Sequence, residues 1–209
     1  MKTLLLFSLI LLPQLSQAGL DLLSKQEIRT LIGSFPAAGS VEERRDDDIL
    51  LEFQHRRTEE DCKAAQAQSN LKVEKVFVKP MGPLSEKEYG KYSFQILKLT
   101  AKVGLNILRA KDMYERPRPY VRNKDIKPCI SLEGSSSYPS GHSATGRAAA
   151  VYLASRYPDR REEIMAAGDN VGNNRMLGGV HHPSDVEKGR IIGEYIALKN
   201  IPAPKGRQE

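Results

Sequence analysis

The longest periodic stretch of the chain begins at Ser85, where Tyr89, Tyr92, Phe94, Ile96, Leu97, Leu99, Val103, Leu105, Ile107 and Leu108 recur at helical spacing among polar residues. Ser85 followed three residues later by Glu88 forms a capping box, so the pattern predicts one long helix starting there. It must end before "ERPRPYV" (115–121), whose two prolines cannot continue it. An Ala-rich run from Ala144 predicts a helix to about Arg156. Pro158 and Asp159 open another, which Gly178 and Gly179 halt, and a last helix begins around Pro183 with Val186, Ile191, Ile192, Tyr195, Ile196 and Leu198. Upstream, Leu20 to Ile32 reads as a short amphipathic segment that "GSFPAAGS" (33–40) breaks. The charge-rich stretch 41–68 reads as one solvated helix with a buried stripe of Ile49, Leu50, Leu51 and Phe53. "VKPMGP" (78–83) is a turn and "IPAPKGRQE" (201–209) a loose tail. With no alternating strand pattern and no internal repeat, the fold expected is all-α, a single-domain helical bundle.

The first residues change the picture of where this bundle works. Lys2, the apolar run from Leu4 to Leu12, and small residues at Ser16 and Ala18 have the layout of a secretory signal peptide over residues 1–18. Residues 19–209 are then the exported domain, periplasmic or secreted, and no later stretch has the roughly 18 consecutive apolar residues of a membrane span. Export makes the two cysteines, Cys62 and Cys129, a disulfide pair. The net charge of +6 favours anionic partners. Nucleic acid is not expected among them, because there is no zinc-finger spacing, no RNA-binding aromatic signature and no Trp.

Three of the four histidines, His142, His181 and His182, lie in Gly/Pro-rich turns that each open a helix. Helix starts present free backbone N–H groups to anions, and here these would be those of Ser140, Gly141 and His142. Lys111, Arg118 and Arg175 are candidate anion ligands around them, although each alone reads as an ordinary surface cation. Asp185, four residues after His181 in the first turn of a helix, can reach back to orient that imidazole.

Together these residues form a pattern: Lys111, six residues, Arg118-Pro119; then Pro139-Ser140-Gly141-His142; then Arg175, five residues, His181, three residues, Asp185. It resembles the tripartite signature of the type 2 phosphatidic acid phosphatase superfamily. Within it, "FPAAGS", "RAKDMYERPRPYV", "SSSYPSGHSATG" and the "GDN...NRMLGGVHHPSDV" segment are similar to those of the secreted class A nonspecific acid phosphatases of bacteria. The resemblance implies a bundle of the phosphatase and haloperoxidase kind that hydrolyses small-molecule phosphomonoesters without a metal or other cofactor. It implies His181 as nucleophile, Asp185 as its orienting carboxylate and His142 as the acid for the leaving group. Lys111, Arg118, Ser140, Gly141, His142, Asn174 and Arg175 would bind phosphate.

Two departures bear on specificity. Asn174 stands where the family usually has Ser and is read as a replacement donor to phosphate, and His182 stands where an aromatic residue is common and is expected at the pocket rim. The block around Gly172, Asn173 and Asn174 is expected to be polar and flexible. Other chemistries fit less of the pattern. A Ser140-His181-Asp185 esterase lacks the G-x-S-x-G elbow. A zinc hydrolase built on His142, His181, His182 and Asp185 leaves the cations unexplained. A vanadate-dependent haloperoxidase-like enzyme and a non-catalytic phosphate-binding module stay as alternatives, and a homo-oligomer stays open.

Overall fold

The computed structural model describes residues 22–79 and 82–202. The expected signal peptide, most of the tail, and Pro80 and Met81 of the turn lie outside the described residues. The described chain forms ten α-helices and no strand: α1 (Lys25–Ile32), α2 (Val41–Arg56), α3 (Glu59–Ala67), α4 (Val73–Phe77), α5 (Glu86–Gly90), α6 (Ser93–Lys111), α7 (Pro119–Arg122), α8 (Gly141–Arg156), α9 (Arg161–Leu177) and α10 (Pro183–Asn200). The all-α expectation therefore holds. A single isolated bridge joins Val78 and Leu84 across the expected turn.

Two of the predicted helices are each split, for local reasons. Stretch 41–68 breaks at Thr58, which caps α3 in a reciprocal pair with Asp61. The Ser85–Glu88 capping box is present, but it starts only the five-residue α5. Gly90 is a weak helix former, and the Tyr92 N–H donates to Tyr89 O, an i to i+3 turn that closes the segment before α6. The ring of Tyr92 then packs edge-on against Tyr152 and Tyr157. In α6 only part of the predicted apolar set faces inward: Ile96, Leu99, Val103 and Ile107 are buried, whereas Phe94, Leu97 and Leu108 are mostly exposed.

The core is built around α8, which is enclosed on nearly all sides: Ala144, Ala148, Ala149, Ala150, Val151, Tyr152, Leu153 and Ala154 are all buried. A helix without a polar face belongs at the centre of a bundle, and α9, α10 and α6 pack around this one. Small residues set the spacing. A Cβ placed on Gly168 of α9 would lie 2.6 Å from the Gly146 carbonyl oxygen of α8, and one on Gly193 of α10 would overlap the Ala144 carbonyl.

The charge-rich α2 is not simply a solvated face. Glu43 and Asp46 are buried, and Asp46 accepts from Arg116 at 2.9 Å. The Cys62–Cys129 disulfide is formed, with a Cα–Cα distance of 5.8 Å, and ties α3 to the long loop between α7 and α8.

Candidate functional site

The site lies where four helix ends meet: the C-terminus of α6, the start of α8, the last turns of α9, and the start of α10. Lys111 closes α6, and Arg118 is the N-cap residue of α7. Ser140 caps α8, its hydroxyl accepting from the Ser143 N–H at 3.3 Å. After α9 the chain reverses through Gly179, whose φ of 75° lies in the region open to glycine. The Val180 and His181 N–H groups both donate to the Arg175 carbonyl, at 3.1 and 3.3 Å, so this turn fixes His181 relative to Arg175. Pro183 then starts α10 and places Asp185 in its first turn.

His181 is held at both ring nitrogens. Arg118 Nη1 is 2.9 Å from Nε2, and Asp185 Oδ2 is 3.4 Å from Nδ1. Because a guanidinium only donates and an ionised carboxylate only accepts, Nδ1 carries the proton and Nε2 presents its lone pair toward the arginine. Burial pushes the His181 pKa down to about 3 and keeps the ring neutral. Asp185 is fully buried; burial alone would raise its carboxyl, but the His181 hydrogen bond and the Arg116 guanidinium hold it well below the usual carboxylate range. Its oxygens accept from Arg116 Nη1 (2.6 Å), Ser137 Oγ (2.5 Å) and the His182 N–H (2.8 Å) as well.

His142 donates from Nε2 to the Ser69 carbonyl at 3.1 Å, which leaves Nδ1 facing the centre of the site. Burial, followed by the nearby Arg175, lowers its pKa. Lys111 donates to the Ser136 carbonyl; its pKa falls to about 8, mainly through burial and then through Arg118. Arg175 is fully buried and donates to Ser69 Oγ at 3.2 Å.

The structure brings Lys111, Arg118, His142, Arg175, His181 and Asp185 together, while four other expectations need correction. The Ser140 N–H is not free for an anion, since it donates to the Asp185 carbonyl at 2.9 Å. That leaves Gly141 and His142 as first-turn donors, where no carbonyl of the helix itself lies within reach. Asn174 is buried, but its amide donates to Gln68 Oε1 at 2.9 Å and not toward the centre. His182 is fully buried behind the site near Pro117, not at a rim. The block from Gly172 to Asn174 is regular helix, with Gly172 packed close to Ser143 and Val186, so the expectation of a flexible block is corrected.

Sequence reasoning missed several members. Glu133 bridges the two arginines: Arg118 Nη2 donates to Oε2 at 2.7 Å and Arg175 Nη2 to Oε1 at 2.5 Å. Arg116 joins Asp185 to Asp46, and Ser69 holds both His142 and Arg175. A lone Glu in a Ser/Gly loop carries no periodic or spacing signal. The "RPRP" run was the one visible hint of Arg116.

The all-helical bundle thus gathers His142, His181, the carboxylates of Asp185 and Glu133, and the cations Lys111, Arg118 and Arg175 at converging helix ends. A family model described as the PAP2 superfamily matches residues 94–204, and the chain belongs to that superfamily. It is similar to the non-specific acid phosphatase of Salmonella typhimurium, 38% identical over 103 residues that make up 45% of this chain and 40% of that protein. It is also similar to the non-specific acid phosphatase of Providencia stuartii, 32% identical over 127 residues, 57% of this chain and 51% of that protein. The chain therefore spans about half or less of these relatives' length. Among solved structures, the transmembrane PAP2-type phosphatidylglycerolphosphate phosphatase of Bacillus subtilis aligns with a TM-score of 0.59 at 17% identity, covering 78% of this chain and 86% of that one. A bacterial vanadium-dependent iodoperoxidase aligns at 0.56 and 15% identity, covering 80% and 52%. These two likenesses are of fold alone. Among the described residues no helix is long and apolar enough to cross a membrane.

Proposed function

We propose that the protein is an exported acid phosphatase that hydrolyses phosphomonoesters through a phosphohistidine, with no metal. The observation that carries this reading is the two-sided hold on His181, with Nδ1–H toward Asp185 and the Nε2 lone pair toward Arg118. It is the tautomer an in-line attack on phosphorus needs. Arg118, Arg175, Lys111 and the N–H groups of Gly141 and His142 neutralise the equatorial oxygens, where transfer concentrates charge. His181 Nε2 bonds to phosphorus as the P–O ester bond breaks, and the departing oxygen takes a proton from His142 Nδ1. In the second half His142 accepts a proton from water, whose oxygen bonds to phosphorus while the N–P bond breaks and its electron pair returns to Nε2. The lowered pKa of His142 supports work in acid, because the ring must be protonated for the first half. Names of relatives such as non-specific acid phosphatase support a small-ester substrate, and the disulfide supports export, in keeping with residues 1–18 as a leader and 19–209 as the working domain.

Rapid quench with a radiolabelled phosphomonoester in the presence of chelator tests this. The wild type should trap an acid-labile, base-stable phosphoryl group, His181→Ala should trap none, and His142→Ala should accumulate more of it. A phosphoenzyme that survives in His181→Ala, or turnover that chelator abolishes and metal restores, would reject the mechanism.

A further inference from the structure

The centre of the cradle holds a side chain of the protein itself. A groove lined by Phe35, Arg45, Tyr138, Pro183 and Lys188 lies elsewhere and includes neither His142 nor His181. The cradle itself is filled by the Glu133 side chain. Each of its oxygens takes one guanidinium, Arg118 at 2.7 Å and Arg175 at 2.5 Å. The same two oxygens stand 3.9 Å from His181 Nε2 and 3.9 Å from His142 Nδ1. A planar anion is therefore seated among the groups that a phosphoryl group would use, and the lone pair of His181 is turned to Arg118 instead of to an electrophile.

We infer that Glu133 is a built-in competitor for the phosphate seat, so that an ester binds only by displacing this carboxylate, and that Glu133 thereby sets the affinity of the site. The inference rests on the reading of the cradle as a phosphate site. A phosphoryl group and the carboxylate compete for the same donors, because Arg118 Nη2 and Arg175 Nη2 already point at the Glu133 oxygens and a second anion at those two groups would stand in contact with a like charge. The loop allows the exchange. Leu132, Gly134 and Ser135 are exposed, and a Cβ on Gly134 would meet nothing within 4 Å. Tyr120 Oη donates to the Glu133 carbonyl at 2.8 Å, so the backbone stays anchored while the side chain leaves.

Displacement is linked to protons. Arg118, Arg175, His181 and His142 face the carboxylate from four separate elements, with Lys111 close by, and they hold its pKa at about 2 against the opposing effect of burial. Once displaced into solvent it returns to an ordinary carboxylate value, about 4.3. Acid that protonates the displaced group keeps it from returning, so phosphate binding strengthens as pH falls through that value. His142 and His181 also gain protons beside a bound anion. Because Glu133 itself raises the His142 pKa, the difference between wild type and a variant that lacks the Glu133 charge reads the carboxylate together with its effect on that ring.

Calorimetric titration with inorganic phosphate of the mature protein and of Glu133→Gln, near pH of about 6 and again near about 4.3, tests the idea without turnover. Glu133→Gln should bind phosphate about tenfold or more tightly near the higher pH, because the competent seat is no longer a minor population. Its advantage should shrink near the lower pH. Glu133→Asp, which keeps the charge but withdraws it by one methylene, should gain by a smaller factor and serves if the glutamine variant does not fold. Equal or weaker binding in these variants, with the wild type binding phosphate normally, would overturn the competitor and leave the cradle standing. Absence of phosphate binding in every protein would overturn the cradle and the competitor together.

Discussion

At the scale of single residues the site is a chain of acidic and basic side chains linked through a neutral imidazole: Asp46, Arg116, Asp185, His181, Arg118, Glu133, Arg175, each within 3.4 Å of the next. Such a chain fixes geometry because every member's partner is itself held. Arg116 is the link that no motif announced. It is buried and touches neither histidine of the proposed chemistry, yet it keeps Asp185 ionised and aimed. Truncating it leaves two buried carboxylates without their cation, so Arg116→Ala should lose about 3–5 kcal/mol of stability. Protein that still folds should lose kcat far more than it raises KM, since the cradle arginines stay in place while His181 loses its oriented tautomer. Arg116→Lys should recover only part of both, because an ammonium does not reach two carboxylates as a planar fork does. Thermal melts and steady-state kinetics on the three proteins check this; a kcat unchanged in Arg116→Ala would remove the positioning role. The sequence showed Lys111, Arg118, His142, Arg175, His181 and Asp185 because each belongs to a short block with fixed spacing. It hid Arg116 and Glu133 because their partners come from distant segments that only the fold brings near.

At the scale of elements, three of the longest helices, α8, α9 and α10, were legible nearly to their ends from Pro and Gly punctuation. Their packing was not. The Ala and Gly content of α8 reads in sequence as helix propensity, whereas in the structure it permits backbone-close crossings against α9 and α10. These crossings matter to the site, since the start of α8 and the start of α10 carry His142 and Asp185. The Ser140 N–H donating to the Asp185 carbonyl stitches those two starts together. Two alanine substitutions separate packing from propensity. Gly193→Ala would press a methyl group into the Ala144 carbonyl and should cost about 1–3 kcal/mol through overpacking. Gly104→Ala, in α6 with nothing within 4 Å of its Cβ, should instead stabilise by about 0.5–1 kcal/mol. Denaturant unfolding of both variants decides it, and a stabilising Gly193→Ala would mean that the helix contact is looser than described.

At the scale of the whole molecule, fold class and disulfide followed from patterning and cysteine count, while the burial of charge on α2 did not, because a mixed charge run looks the same in solvent and against a buried arginine. The buried ionisable groups give the molecule a definite response to acid. His142, His181 and His182 all have pKa values lowered by burial, so each takes up its proton at a lower pH in the folded state than in the unfolded chain. In the unfolded chain each titrates near the ordinary value of about 6.5. Below that pH the unfolded state binds more protons than the folded one, and stability falls as pH falls. For His181 the loss continues until its folded value of about 3 is reached. The carboxylates act later: Glu133 and Asp185 have lowered folded values, so their stabilisation is intact above the ordinary carboxylate range and is lost only as pH drops through it toward about 2 for Glu133. Between about 6.5 and about 4.5 the histidines therefore dominate the slope. Melting temperature should decline across that window, and the decline should be shallower in His182→Gln, which removes one buried imidazole without touching the proposed nucleophile or acid. Melting curves of the disulfide-intact protein at constant ionic strength measure it. A melting temperature that is flat or rises as pH is lowered across the window would show that these rings are protonated in the fold, and would remove the neutral His181 on which the proposed attack depends.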